Sequence, residues 1–303
     1  MASSRECCGL PAGDQHQSLL ASPRGSSRKA GAERARGRGR LVARARHVAA
    51  LGEALTDPRT QLVGRGYDVI GNRFVEWRDR IVGDPRREWE QELVSRLTDG
   101  ARVLELGCGG GMPDTRRLAS RFRVTGVDIS REQIRRARLA VPEAEFLQAD
   151  FTALELKPES FEAVVSFYAF NHVPRELLAS TFARTYRWLV PGGLFMTALG
   201  TTDTEAWTGE WLGTPTFFSS FPPETNLRLV REAGFELLRN ELVTFREPDG
   251  YVTFQWVLAL RNPADTSAAV DGVEADRMRV PAWGCRYGSA QNGPARPRRS
   301  RIA

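Results

Sequence analysis

The stretch ELGCGGG, residues 105–111, decides the predicted fold of this chain. It follows RVLEL (residues 102–106), an apolar segment typical of a buried strand, and precedes residues 114–121, which have a helical pattern. A glycine loop between a strand and a helix lets the backbone turn tightly and approach a ligand closely. In a parallel sheet such a loop lies at the carboxyl edge, where ligands bind. The stretch therefore predicts a ligand site at the edge of an α/β sheet.

Strands and helices alternate along the rest of the chain. Helices are predicted at residues 84–99, with Asp84 as N-cap, and at 130–140, 177–189 and 224–233. A tight turn is predicted at residues 191–193, and further strands at 123–127, 145–147, 161–167, 194–199, 236–245 and 251–260. This alternation implies parallel strands with right-handed crossovers. We predict an α/β, Rossmann-like fold with a seven-stranded, mostly parallel sheet, helices on both faces and an antiparallel last strand.

Composition separates two basic tails from an ordered middle. Residues 1–55 and 263–303 are rich in Arg, Gly and Ser, and we predict that they are disordered because they bury too little apolar surface. The net charge of +6 comes from these tails, and residues 51–261 are net negative. The tails are interpreted as solvated extensions, with weak phosphate contacts or an organellar transit peptide as alternatives. The acidic middle predicts no specific nucleic-acid partner.

The sequence also predicts the compartment. No window approaches the roughly 20 apolar residues of a membrane-spanning helix, and no secretory signal is recognisable. The four cysteines, Cys7, Cys8, Cys108 and Cys285, have neither zinc-site nor disulfide-framework spacing. We therefore predict a soluble, cytoplasmic protein without a metal.

The glycine pattern and its acidic neighbours favour one cofactor. Asp128 ends the second strand, 21 residues after Gly107, where a carboxylate suits two ribose hydroxyls. A nicotinamide-binding G-x-G-x-x-G pattern would need glycine at position 112, which is Met112. Glu105 adds an anion at the strand end that would repel a pyrophosphate. S-adenosylmethionine has no phosphate and carries an ammonium and a sulfonium, so the charges favour it as the cofactor.

The ordered set of motifs resembles the core of the class I S-adenosylmethionine-dependent methyltransferases, of the bacterial small-molecule type. The matching segments are VLELGCGGG (103–111), GVDIS (126–130), ADF (149–151), FEAVVSF (161–167) and LVPGG (189–193). The resemblance covers about two thirds of the chain. It implies methyl transfer and a methyltransferase domain over residues 56–262, with its core at 101–200.

Flanking segments extend the resemblance on both sides. GYDVIGNRFVEW (66–77) and DPRREW (84–89) resemble a helical cofactor cover, which implies a cover over residues 60–98. WTGEWLG (207–213) and FFSSF (217–221) resemble a substrate lid, which implies a lid over 201–223 before a C-terminal helix and strands at 224–261. Phe74 departs from the family pattern, since a second tyrosine is expected there.

The resemblance assigns side chains to the methionine end of the cofactor. Gly107 and Gly109 would face the methionine portion, and Glu105 would orient its ammonium. Tyr67 would contact the cofactor carboxylate. Phe167 or Ser166 would close the floor beneath the sulfonium.

The resemblance likewise assigns the nucleoside end. Asp128 would hold the ribose, and Ile129 would lie against the adenine. Asp150 would accept a hydrogen bond from the adenine amino group, with Phe151 beside it. Gln133, which stands in capping-box spacing after Ser130, is also predicted to bind the cofactor.

Two residues after the fourth strand are candidates for catalysis. A base is needed only when the nucleophile must lose a proton, because the sulfonium is already activated. His172 is a candidate base, with a brace of the loop or of the cofactor carboxylate as the alternative. Tyr168 is a candidate for orienting the nucleophile, with packing as the alternative.

The acceptor site is predicted in an aromatic stretch. Trp207, Trp211 and Phe218 would wall an apolar pocket, with simple packing as the alternative, and Glu210 is a second candidate base. This composition favours O-methylation of a secondary metabolite or quinone-like small molecule, while N- and C-methylation remain open. A nucleic-acid methyltransferase is disfavoured because residues 171–174, NHVP, lack the N/D-P-P-Y/F motif. A non-catalytic cofactor-binding protein also remains open, as does the oligomeric state.

Overall fold

The computed structural model describes residues 57–265, which contain seven α-helices and nine strands. The helices are α1 (Pro58–Ile70), α2 (Asn72–Arg78), α3 (Arg86–Arg96), α4 (Asp114–Ala119), α5 (Arg131–Ala140), α6 (Leu178–Trp188) and α7 (Pro223–Glu232). The strands are β1 (Arg102–Leu106), β2 (Arg123–Asp128), β3 (Glu145–Gln148), β4 (Phe161–Ser166), β5 (Leu189–Gly200), β6 (Thr204–Trp211), β7 (Thr214–Ser220), β8 (Phe235–Glu247) and β9 (Gly250–Arg261). The predicted disorder of residues 1–55 and 263–303, with Cys7, Cys8 and Cys285, lies outside the described residues except at 263–265, where the Tyr186 hydroxyl donates to Asp265.

Seven strands form one sheet in the order β3-β2-β1-β4-β5-β9-β8. Strands β1 to β5 pair in parallel, and β9 pairs antiparallel with both β5 and β8. The predicted fold class, including the antiparallel last strand, is confirmed. Strands β1 and β4 lie at the centre, which explains their nearly continuous apolar runs.

Helices cover both faces of the sheet and bury its apolar side chains. Trp89 and Leu93 of α3 pack with Leu118 of α4 in the core on one face. Phe182 of α6 packs with Val230 of α7 in the core on the other. No helix within residues 57–265 is long and apolar enough to cross a membrane.

The predicted tight turn at residues 191–193 is wrong. Strand β5 runs through this Pro-Gly-Gly segment, because the pairing with β4 changes register there. Phe161 pairs with Leu189, whereas Ala163 pairs with Leu194. The extra residues form a bulge, which accommodates a proline without ending the strand.

The lid segment 201–223 contains a β-hairpin that was not predicted from the sequence. Strands β6 and β7 pair antiparallel and form a separate two-stranded sheet. Leu212 and Gly213 connect them, both with positive φ (48° and 73°). Two central residues with positive φ are the mark of the type I′ hairpin turn. The sequence contains a hairpin signal here, because the pair Leu212-Gly213 stands between two runs rich in Trp, Thr and Phe.

Candidate cofactor and acceptor site

A cavity of about 950 Å³ opens at the carboxyl edge of the sheet. The ends of β1, β2, β4 and β5 form its floor, and α1, α2, the β6–β7 hairpin and β9 supply its walls. This volume lies at the upper end of the range for small-molecule sites. Twelve predicted site residues line it: Tyr67, Glu105, Gly107, Asp128, Ile129, Gln133, Phe151, Phe167, Tyr168, His172, Trp211 and Phe218.

Two residues predicted to bind the cofactor do not line this cavity. The backbone N–H of Gly109 instead donates to Asp128 Oδ2 at 2.8 Å, within the glycine loop. The Asp150 carboxylate accepts from Thr60 Oγ1 of α1 at 2.6 Å and from the N–H of Thr152 at 2.8 Å. The oxygens of Asp150 therefore tie α1 to the sheet edge, and its predicted contact with the adenine amino group stays a prediction.

Two residues predicted for the acceptor pocket also lie outside the cavity. Trp207 is 43% exposed and packs against its cross-strand partner Phe218, with ring centroids 5.6 Å apart. Glu210 is exposed on β6, where it pairs with Pro215. Strand alternation puts Glu210 on the opposite face of β6 from Trp211, which lines the cavity. Trp207 shares the face of Trp211 but lies farther along the strand, beyond the residues that line the cavity. Glu210 is therefore not placed to act as a base.

Asp128 is held in place by the backbone. Its Oδ2 accepts from Gly109 N–H, and its Oδ1 accepts from Ser130 N–H, both at 2.8 Å. Burial raises the pKa of this carboxyl to about 6, although the backbone hydrogen bonds act in the opposite direction. Each carboxylate oxygen retains a second lone pair. The fixed carboxylate at the cavity surface can therefore accept two hydroxyl hydrogens.

Glu105 is a buried carboxyl suited to a cationic ligand. It is 3% exposed at the end of β1 and accepts from Thr115 Oγ1 at 2.6 Å. Burial raises its pKa to about 8, because ionisation in this apolar setting is costly. An ammonium bound beside it would restore the ionised form. The carboxyls of Glu105 and Asp128 thus match the charged and hydroxylated parts of S-adenosylmethionine.

His172 and Tyr67 form a hydrogen-bonded pair at the cavity wall. His172 Nδ1 lies 2.8 Å from the carbonyl oxygen of Phe217, and Nε2 lies 3.0 Å from the Tyr67 hydroxyl. A carbonyl only accepts, so Nδ1 carries the proton and Nε2 accepts from Tyr67. Burial lowers the pKa of His172 to about 4. The imidazole is therefore neutral at pH 7, with its basic nitrogen toward Tyr67.

This neutral imidazole predicts a specific pH dependence of stability. The unfolded chain binds a proton at His172 near pH 6.5, and the folded chain does so only near pH 4, so stability falls as the pH drops through that window. We expect His172 to account for about 1–2 kcal/mol of lost unfolding free energy between pH 7.5 and 5, since the ring is only partly screened from water. Urea unfolding of wild type and His172→Asn at both pH values measures the difference. Equal losses in the two proteins would refute it.

Tyr168 lines the cavity, but its hydroxyl is already engaged. It donates to Asp84 Oδ1 at 2.8 Å, and Arg86 lies over its ring at 4.8 Å. Its φ of 65° is uncommon for a tyrosine, so the surrounding contacts hold it in place. The ring packs 4.7 Å from Phe254 of β9. This arrangement favours packing over the predicted orientation of a nucleophile.

An aromatic wall, defined here as Phe74, Trp77, Trp211 and Phe218, closes the outer part of the cavity. The neighbouring rings within it lie 5.2 to 6.3 Å apart between centroids. Tyr67 joins it through Phe74 at 5.6 Å and Trp211 at 6.2 Å. Phe74, noted as a departure from a tyrosine pattern, thus contributes apolar surface. Helices α1 and α2 and the hairpin build this wall together.

Several charged residues of the cavity, Arg86 and Glu247 among them, were not predicted from the sequence. Arg86 lines it and bonds to Asp84 at 2.9 Å and to Asp114. Its place in the quoted motif DPRREW was an available signal. Glu247 reaches the cavity from the end of β8. No local pattern marks Glu247, because its position depends on how far the β8–β9 hairpin extends past the sheet.

Comparison with known proteins supports a methyltransferase. Residues 103–193 match a family model described as a methyltransferase domain. The chain is 29% identical over 164 residues to 27-O-demethylrifamycin SV methyltransferase of Amycolatopsis mediterranei, covering 46% of this chain and 58% of that protein. It is 29% identical over 194 residues to a ubiquinone biosynthesis O-methyltransferase of Paramagnetospirillum magneticum, covering 62% and 74%. The first of these alignments thus spans less than two thirds of its relative.

A solved structure supports the same fold. A S-adenosylmethionine-dependent methyltransferase from Methanosarcina mazei superposes with a TM-score of 0.52 at 18% identity, over 56% of this chain and 96% of that one. Identity this low bears on the fold alone. Residues 103–193 thus match a methyltransferase domain, and the solved structure shares the fold around them.

Proposed function

We propose that the protein transfers a methyl group from S-adenosylmethionine to a hydroxyl of an apolar, aromatic small molecule of the secondary-metabolite or quinone-like class. One observation carries this proposal: a single cavity joins the carboxyls of Glu105 and Asp128 to the aromatic wall, with the neutral His172 between the covering elements. A shared cavity is what direct transfer from cofactor to acceptor requires.

The described residues fit the cofactor. S-adenosylmethionine supplies a methyl group on a positively charged sulfur when it is bound. Asp128 would accept the ribose hydroxyls, Glu105 would bind the ammonium, and Ile129 and Phe151 would flank the adenine. Gly107 would face the methionine chain. The aromatic wall keeps water from the reacting atoms and holds the acceptor in one orientation.

The pair Tyr67–His172 supplies a proton acceptor. An acceptor hydroxyl donating to Tyr67 Oη shares its proton with His172 Nε2 through the existing 3.0 Å hydrogen bond. The acceptor oxygen gains nucleophilic character as its proton moves toward this pair. The Phe217 carbonyl keeps the imidazole in the tautomer that leaves Nε2 free to accept.

The names of two relatives agree with transfer to oxygen. One is 27-O-demethylrifamycin SV methyltransferase, and the other is a ubiquinone biosynthesis O-methyltransferase. The test is incubation of the full chain with S-adenosylmethionine and a panel of phenols, catechols and quinols, with mass spectrometry of S-adenosylhomocysteine and of the product. Methylation at nitrogen or carbon would correct the proposal. Tight cofactor binding without turnover on phenol, amine or alkene acceptors would favour a non-catalytic protein.

His172→Asn is expected to lower kcat at least tenfold while the Kd for S-adenosylmethionine changes less than threefold. Asparagine still reaches the Phe217 carbonyl with an N–H but has no basic nitrogen, so it isolates proton acceptance. Steady-state kinetics and calorimetric titration provide the two quantities. A parallel loss of cofactor affinity would instead make His172 a cofactor ligand.

A further inference from the structure

Glu247 is a charged cavity residue without a partner. Within residues 57–265 no hydrogen bond or ion pair is present at its carboxylate. The other charged residues of the cavity are engaged: Glu105 with Thr115, Asp128 with backbone N–H groups, Asp114 with Arg86 and Arg117, Arg78 with the Met112 carbonyl and Asp79, and Arg136 with Glu132. The unpaired carboxylate faces a cavity that has room for a ligand.

The surroundings of Glu247 are negative. Burial and the carboxylates of Asp249 and Asp84 raise its pKa to about 7. Arg86, the cation beside Asp84, is shared between Asp84 and Asp114. Trp77 Nε1 donates to Asp249 Oδ2 at 3.1 Å, which fixes the tip of the β8–β9 hairpin to the aromatic wall. Among residues 57–265, only carboxylates act on the charge of Glu247, and no cation there compensates it.

We propose that Glu247 binds a cationic amine of the acceptor, an alkylammonium group, with the aromatic wall around the rest of that molecule. The inference rests on the proposed function and names the substrate class more closely. An ammonium offers hydrogen bonds to a carboxylate and is attracted to the faces of tryptophan rings. The aromatic wall contains two tryptophans, Trp77 and Trp211.

The location argues for the acceptor rather than for the cofactor ammonium. Glu105 ends β1, where the glycine loop begins, whereas Glu247 ends β8. Strands β4, β5 and β9 separate β1 from β8 in the sheet. The two carboxyls thus serve different ends of the cavity, and the cation at Glu247 belongs to the molecule held by the aromatic wall.

The test compares matched amines and neutral analogues on the full chain saturated with S-adenosylhomocysteine. Calorimetry compares the affinity for tyramine with that for 4-ethylphenol, and the affinity for 3-phenylpropylamine with that for the alcohol of equal length, 3-phenyl-1-propanol. We expect the wild type to bind at least one amine ten or more times tighter than its neutral partner. Glu247→Gln should reduce that preference to about twofold. Glu236→Gln, an exposed glutamate on the same strand and outside the cavity, should keep it.

Each result bears on the inference. No preference for the amine in any pair overturns it, as does a preference that survives Glu247→Gln. A loss of S-adenosylhomocysteine affinity in Glu247→Gln would assign the carboxylate to the cofactor and also overturn it. An amine preference that depends on Glu247, without methyl transfer to any acceptor, would support the site and refute the proposed reaction.

Discussion

Gly107→Ala is expected to abolish measurable binding of S-adenosylmethionine and to lower the free energy of unfolding by about 3 kcal/mol or more. Gly107 has φ 74°, a left-handed conformation that costs alanine about 1–2 kcal/mol. A Cβ there would also lie 2.3 Å from the Cβ of Ala169, which follows β4. Because backbone atoms on both sides must move, the glycine loop would shift away from the cavity.

Gly100→Ala is a matched control for this substitution. Gly100 has φ 79°, nearly the same as Gly107, but a Cβ there meets no atom within 4 Å. It therefore reports the backbone cost alone, about 1–2 kcal/mol, with cofactor affinity unchanged. Urea unfolding and calorimetric titration of both variants separate the two effects. Equal destabilisation by the two substitutions, with cofactor binding retained, would show that the loop tolerates the contact.

Asp128→Ala is expected to weaken S-adenosylmethionine binding about 100-fold. The carboxylate can accept two hydroxyl hydrogens, and hydrogen bonds to charged groups contribute about 1.5–3 kcal/mol each. Its removal also leaves the N–H groups of Gly109 and Ser130 without their partner, so the loop loses support. Calorimetric titration gives the affinity, and NAD serves as the non-cognate ligand.

Two further variants serve as controls. Asp128→Asn keeps the shape of the side chain but only one acceptor oxygen, so it retains one of the two backbone hydrogen bonds, and urea unfolding of this variant reports how much loop support is lost. Asp99→Ala removes an exposed carboxylate that bonds only to Arg121 among the described contacts, and it should leave affinity unchanged. Unchanged affinity in Asp128→Ala would remove this residue from the site.

Local sequence was enough to predict the central sheet. Strand β1 was predicted with its observed bounds, and the Ser130 side chain caps α5 by accepting from Gln133 N–H, as the spacing indicated. Central parallel strands are buried on both faces, so their apolar runs are strong signals. Asp128 was found because strand, loop and acid stand at a fixed spacing within one βαβ unit.

Other features could not be predicted because distant segments decide them. Asp150 stands in a recognisable motif, yet its carboxylate is bound by Thr60, 90 residues earlier in the chain. Pro191 looked like a strand breaker, but a register shift against β4 absorbs it. In both cases the outcome depends on which group happens to lie opposite, and a local pattern carries no such information.

The sequence by itself determined the α/β class, the motifs of the parallel strands and the acids at the ends of β1 and β2. Backbone periodicity and short-range spacing set these features. Only the tertiary structure decided the acceptor end of the cavity. There, α1 brings Tyr67 to His172, the hairpin places Trp211 at the cavity and Trp207 beyond it, and β8 delivers Glu247. The physical reason is that these contacts join segments far apart in the chain, such as Tyr67 and His172, 105 residues apart, and Trp77 and Asp249, 172 residues apart. Packing between elements, rather than the preference of any one segment, selects them.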